Sequence, residues 1–214
     1  MYQPVHFRED RIEVQHDFIR TNPLGLVMTA GPRGLQANPL PFLVDSDAAQ
    51  KGRLRCHMAR ANPHWKELNV VDQCLVVFQG PSDYVSPSWY PSKIETGKVV
   101  PTWNYATVHV WGKPQVTEDE AWLRRQLDDL TSARESGRPT PWKVEDAPAQ
   151  YVASQIKGIV GVEITIDRIE GKWKVSQDRK HVDKEGVVRG LLKQGQSSKD
   201  IAALVQERSG SKSM

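Results

Sequence analysis

The chain has 214 residues, of which 38% are hydrophobic and 26% charged, with a formal net charge of +3. That length and apolar content suit one globular domain of generous size, or one domain with a small appendage. No run of eighteen apolar residues exists to span a bilayer, and Met1 to Asp10 lacks the apolar core of a secretory signal, so a cytoplasmic protein with no membrane partner is expected. Its two cysteines, Cys56 and Cys74, each lie in an apolar run and are expected as buried free thiols. The charge is uneven. From Lys172 onward ten Lys/Arg face five Asp/Glu, leaving 19 against 21 in the preceding residues.

In chain order, a helix is expected over 9–21, with Ile12, Phe18 and Ile19 on one stripe, ending before Asn22-Pro23. A hairpin follows, with arms 24–30 and 35–44 joined through Gly31-Pro32-Arg33-Gly34. Pro39 and Pro41 remove ladder donors from its second arm, which must therefore lie at a sheet edge or a bulge. A strand at 53–59 then runs into a helix that reaches about residue 69. Asn62 suits the cap and Pro63 the first helical position. Open backbone amides at such a start, with Arg60 and His57 beside them, would cradle an anion. The alternative is a well-capped surface helix with Arg60 in water.

Gln73 to Gln79 reads as a strong strand stopped by Gly80-Pro81, and the proline-bearing stretch 84–101 as a long loop. Thr102 to Trp111 alternates: Ala106, Val108 and Val110 point to a core, while Trp103, Tyr105, Thr107 and His109 point the other way. That second face suits a planar heteroaromatic ligand, a subunit interface or a covering helix. Thr117-Glu118-Asp119-Glu120 reads as a capping box for a helix to about Glu135. A short helix at 149–157 and an alternating strand at 159–169 follow, and Leu191 to Val205 looks like the first two helices of a helix-turn-helix unit. There is no internal repeat, no Gly-x-Gly-x-x-Gly turn and no Walker sequence. His57 and His64 stand seven residues apart, which is not zinc-ligand spacing, so no metal is expected. Five or six antiparallel strands with short intervening helices argue a small closed or split barrel, in the α+β class but mainly β.

Five motifs, in order, carry a resemblance over nearly the whole chain. They are Met1-Tyr2-x-Pro4-x-x-Phe7, His57-x-Ala59-Arg60-Ala61-Asn62-Pro63, Tyr84-Val85-Ser86-Pro87-Ser88-Trp89-Tyr90, Val100-Pro101-Thr102-Trp103-Asn104-Tyr105 and Lys174-Val175-Ser176-Gln177. Together they resemble the PaiB-type FMN-binding negative transcriptional regulators. The resemblance implies an FMN-binding split barrel of antiparallel strands with peripheral helices, similar to pyridoxamine-phosphate-oxidase-like flavoproteins, with residues 1–171 as barrel domain and 172–214 as a basic helical extension packed on it. It also implies a homodimer with FMN at the subunit interface. His57, Arg60, Ala61 and Asn62, with Trp65, would hold the phosphate; Asn38, Pro39 and Leu40 would run along the flavin. Trp103, Asn104, Tyr105 and Thr107 would border the ring, with Lys174 and Gln177 completing the set. Pro39 stands where the family usually has histidine, and Asp178 where many members have asparagine, so neither side-chain role carries over.

Three functions remain open at this stage. They are a regulator whose basic C-terminal segment contacts DNA, a flavin-dependent oxidoreductase acting on a small molecule, and a dimeric module that stores FMN or another cofactor such as haem.

Overall fold

The computed structural model describes residues 1–210. In order the chain forms β1 (Arg8–Glu9), α1 (Ile12–Thr21), β2 (Leu24–Gly31), β3 (Gly34–Pro41), β4 (Leu43–Asp45), β5 (Arg53–Ala59), α2 (His64–Leu68) and β6 (Cys74–Val85). It continues with α3 (Ser92–Thr96), β7 (Thr102–Thr117), α4 (Glu120–Glu135), α5 (Ala149–Lys157), β8 (Ile159–Lys174), α6 (His181–Leu192) and α7 (Gln196–Gly210). Short 3-10 turns occupy Val5–Phe7, Pro87–Trp89 and Val144–Asp146. The strands follow the order β3-β2-β6-β7-β8-β5-β4, and β1 pairs with β8. Two compact units result, one from Ile12–Phe78 and His109–Ile169, the other from Met1–Arg11, Gln79–Val108 and the described residues from Glu170 onward.

In the first unit, β2 and β3 pair antiparallel from Leu24↔Pro41 to Gly31↔Gly34, and Gly34 at φ 83° makes the turn that a side chain would strain. The topology places β3 at the sheet edge, where its two prolines are tolerated. Alternation is strict in β5: Leu54, Cys56 and Met58 are buried, and the strand pairs with β8 from Arg53↔Thr165 to Ala59↔Ile159. Phe42, Val76, Phe78, Val110, Val162 and Ile164 add to the buried apolar set, each contributing about 1.5–3 kcal/mol of transfer free energy. Cys56 and Cys74 are buried free thiols, and burial pushes Cys74 up to about 12. A separate apolar cluster of Leu123, Val144, Val152 and Ile156 joins α4 to α5.

The second unit carries β1, whose Arg8 and Glu9 lie opposite Lys172 and Gly171 of β8. Here α6 and α7 bury Val187, Leu191, Ile201 and Val205. Glu9 is buried and receives Arg11 Nη2 at 2.6 Å and Arg208 Nη2 at 2.6 Å, which ties β1 to α7. Burial alone would raise its carboxyl, but the bonds from Arg11 and the bond and charge of Arg208 outweigh it and hold the group at about 2.

Several boundaries differ from expectation for local reasons. The first helix starts at Ile12 because Arg8 and Glu9 are drawn into a strand with β8. β6 runs on through Gly80 and Pro81 to Val85; its register with β2 reaches Leu26↔Val77, so Pro81 lies beyond that pairing. The stretch expected as a loop at 84–101 holds a 3-10 turn and α3. The cap of α4 is Asp119, accepting from Trp122 N at 2.6 Å, while Thr117 Oγ1 only receives Asp119 N. β8 extends to Lys174 because its last residues pair with β1.

Candidate functional site

The junction after β5 is closed by its own bonds. Arg60 N donates to Gly158 O at 2.8 Å, Asn62 N to Ala59 O at 2.9 Å, and His64 N to Asn62 Oδ1 at 3.1 Å. The expected cap shifts by one residue: Pro63 takes the cap position of a helix of only five residues, His64–Leu68, while Asn62 Oδ1 still accepts the first helical amide, that of His64. The expectation of open amides here is corrected at Arg60, Asn62 and His64, whose donors are consumed inside the protein.

Arg60 is also engaged. Its Nε donates to Lys157 O at 2.9 Å and its Nη2 to Ile159 O at 3.2 Å, while Nη1 pairs with Glu118. The two carbonyls flank the C-terminal end of α5, where a cation is favoured. Both members of the Arg60–Glu118 pair are partly exposed, so the pair contributes about 0–1 kcal/mol and exchanges readily. Trp65 Nε1 donates to Arg60 O at 3.0 Å. Ala61 lies exposed between these anchored residues.

Beneath the junction runs a buried polar relay. Asn62 Nδ2 donates to Asn38 Oδ1 at 3.2 Å, which orients the Asn38 amide so that its Nδ2 donates to His64 Nδ1 at 2.8 Å. His64 then carries its proton on Nε2, 2.9 Å from Thr29 Oγ1. Burial pushes its pKa down, and the ring is held neutral. The relay pins edge strand β3 to α2 at Asn38, next to exposed Pro39 and buried Leu40. His57 differs: its Nδ1 is buried with no hydrogen-bond partner, and burial lowers its pKa. An unmet polar atom of this kind costs about 1–3 kcal/mol and marks a place for an outside group or a water.

The other expected residues lie in the second unit. Trp103 is 56% exposed, with its ring 6.2 Å from Tyr84, and the rings of Tyr105 and Tyr2 flank the buried Lys172 ammonium at 5.4 and 5.5 Å. Thr107 shares their side of β7 and is buried. Asn104 does not share it. The side chain is buried on the opposite face, its Nδ2 donating to Ser176 Oγ at 2.9 Å, and Ser176 sits at φ 65°. Gln177 stabilises that turn by accepting Val175 N at 2.8 Å and donating to Trp173 O at 2.5 Å. Lys174 Nζ donates to Trp103 O at 2.8 Å and to Thr102 Oγ1, and burial pushes its ammonium below the usual lysine range.

Glu118, Thr29 and Lys172 were not singled out in the sequence. Glu118 lies in the acidic run that was read only as a cap, and nothing local links it to Arg60 across 58 residues. Among the described residues no group of three or more His, Cys, Asp or Glu could hold a metal, and no helix is long and apolar enough to cross a membrane.

The family model described as "Putative FMN-binding domain" covers residues 1–168. A Bacillus subtilis relative named "Protease synthase and sporulation protein PAI 2" is 31% identical over 97% of this chain and 98% of its own. The chain belongs to the PaiB-type FMN-binding family. An uncharacterized protein of Aspergillus fumigatus is 37% identical, over 97% of both chains. Among solved structures, the flavocytochrome Anf3 from Azotobacter vinelandii superposes with a TM-score of 0.58 at 16% identity, over 78% of this chain and 69% of that one. The FAD and heme binding protein from Mycobacterium smegmatis gives 0.58 at 19% identity, over 78% and 73%. These likenesses are ones of fold, the split barrel of antiparallel strands with peripheral helices expected from the sequence. FMN or a related flavin is the cofactor that PaiB-type family membership assigns.

The residues present fit a flavin phosphate. An unpartnered ring nitrogen on His57 and a guanidinium whose charge is balanced by a replaceable, half-exposed carboxylate are groups that an anion satisfies. When bound, the flavin supplies its own redox chemistry.

Proposed function

We propose that this protein is a homodimeric, cytoplasmic FMN-binding regulator of the negative transcriptional type. In this reading the phosphate is held by His57 and Arg60, with Ala61, Asn62 and Trp65 shaping the cradle and the backbone of Asn38, Pro39 and Leu40 running along the cofactor. Trp103, Tyr105 and Thr107 border the ring. Asn104, Lys174 and Gln177 act behind them by setting the Ser176 turn and the Trp103 backbone. The barrel domain is taken as 1–171 and the basic extension as 172–214, the latter being the segment that meets DNA. Its assignment as a regulator draws on the resemblance to PaiB-type regulators that the five sequence motifs carry.

The observation that carries the dimer is one sheet face. Residues directly opposite in a ladder share a face, and here the pairs are Leu24↔Pro41, Leu26↔Pro39, Met28↔Ala37 and Ala30↔Leu35, continued by Val77 and Leu75 of β6. All ten are apolar, and Leu24 and Leu35 are 65% and 87% exposed. Such a patch calls for a partner. Prolines along the β3 edge disfavour pairing by added strands, which leaves face-to-face association with a second copy.

Sedimentation of the purified protein tests this: a dimer that dissociates in a Leu26→Glu, Leu35→Glu double variant is expected, and a monomeric wild type contradicts it. An absorption spectrum of the same sample should show the yellow flavin bands. A gel shift across a salt series tests the DNA contact, since charge attraction alone gives a steep salt slope without sequence preference.

A further inference from the structure

We propose that the cleft bordered by Trp89, Ile94 and the C-terminal half of α6 is a binding pocket for a small aromatic acid, a planar ring carrying a phosphate or carboxylate. None of its lining residues belongs to the flavin set, so the proposal stands apart from that reading.

The cleft encloses about 610 Å³, within the range of small-molecule sites. Its floor is Trp89, Tyr90, Gly186 and Gly190. The two glycines lie one helical turn apart on α6, and each is required where it stands. A Cβ on Gly186 would come 2.0 Å from the Trp89 carbonyl oxygen, and one on Gly190 would come 2.2 Å from the indole Cδ2. The Trp89–Tyr90 segment is therefore seated directly on the helix backbone, which gives the cleft a fixed aromatic wall.

Charge at the rim is one-sided. Lys93, Arg189 and Lys193 line the cleft, and no Asp or Glu is among its lining residues. Arg189 pairs with Glu185 at 3.8 Å, a long and solvent-exposed contact. Ile94 stands on the same rim with 93% of its surface exposed, an apolar side chain that a bound ring would cover. Tyr90 itself is only 2% exposed, with the Arg179 guanidinium 5.4 Å over its ring, so it serves the cleft as packed aromatic support. Three rim cations and an aromatic wall together describe an anionic ring: the ring stacks on the free face of the indole and the anion meets the cations.

The experiment is a calorimetric titration of the purified, flavin-loaded protein with phenyl phosphate, with benzoate, inorganic phosphate and benzyl alcohol as separate arms. A Kd for phenyl phosphate or benzoate below about 1 mM is expected, with inorganic phosphate and benzyl alcohol each at least about tenfold weaker. An Arg189→Gln, Lys193→Gln double variant, placed on the exposed rim, should weaken binding by about tenfold or more with its melting temperature nearly unchanged. Inorganic phosphate or benzyl alcohol binding as tightly as phenyl phosphate, a Kd above about 1 mM for both aromatic acids, or full affinity in the double variant would each overturn the proposal.

Discussion

The junction after β5 and the cleft beside Trp89 use similar side chains in opposite states. At the junction Arg60 already holds a carboxylate and two carbonyls, and the asparagine and histidine next to it bond one another. In the cleft the cations face no acid among the lining residues. The first region is built before any ligand arrives, so its geometry is fixed and an anion must displace Glu118. The second has its wall fixed and no acid in its lining to balance the rim cations. Positive charge by itself distinguishes neither; what each charge is already bonded to does.

The largest effect should come from breaking the rigid region. His64→Leu leaves Thr29 and Asn38 without their buried partner and should cost about 3 kcal/mol in urea unfolding, whereas a change under about 0.5 kcal/mol would show that the relay does not hold the junction. The same ring gives a pH signature. Its folded pKa is depressed, so protonation favours the unfolded chain; stability should be intact above the ordinary value of 6.5 and decline as pH falls below it. His64→Gln should make that decline shallower, with the remainder due to His57 and His16, whose pKa burial also lowers. Next in size is Gly186→Ala, which drives a Cβ into the Trp89 carbonyl and should cost about 1–3 kcal/mol while abolishing aromatic-acid binding in the cleft. A smaller effect is expected at Glu118. Glu118→Gln frees Arg60 from its competing carboxylate and should tighten flavin retention by less than about 1 kcal/mol, leaving stability unchanged.

Much of the fold was legible because periodicity records burial. The alternation of β7 put Ala106, Val108 and Val110 inside and Trp103 and Tyr105 outside, and prolines 39 and 41 placed β3 at the edge. Counted strictly, the same alternation sends Asn104 inward, where the structure has it; grouping it with its aromatic neighbours followed the motif and not the period. Boundaries were lost where a distant pairing overrode a local stop. Gly80-Pro81 does not end β6, and the end of β8 is set by β1, more than 160 residues earlier in the chain. At the site, the residue types were readable but their occupancy was not. That Arg60 meets Glu118, that Asn38 feeds His64, and that the Tyr90 hydroxyl has no hydrogen-bond partner are facts of three-dimensional placement.

Flavin affinity of Arg60→Ala, followed by quenching of FMN fluorescence against the wild-type protein, tests the phosphate assignment most directly. A loss of about 1.5–3 kcal/mol, one charge-assisted hydrogen bond, with the melting temperature nearly unchanged is the expected result. Wild-type affinity in Arg60→Ala would contradict the account and leave Arg60 as a clasp between β5 and the end of α5.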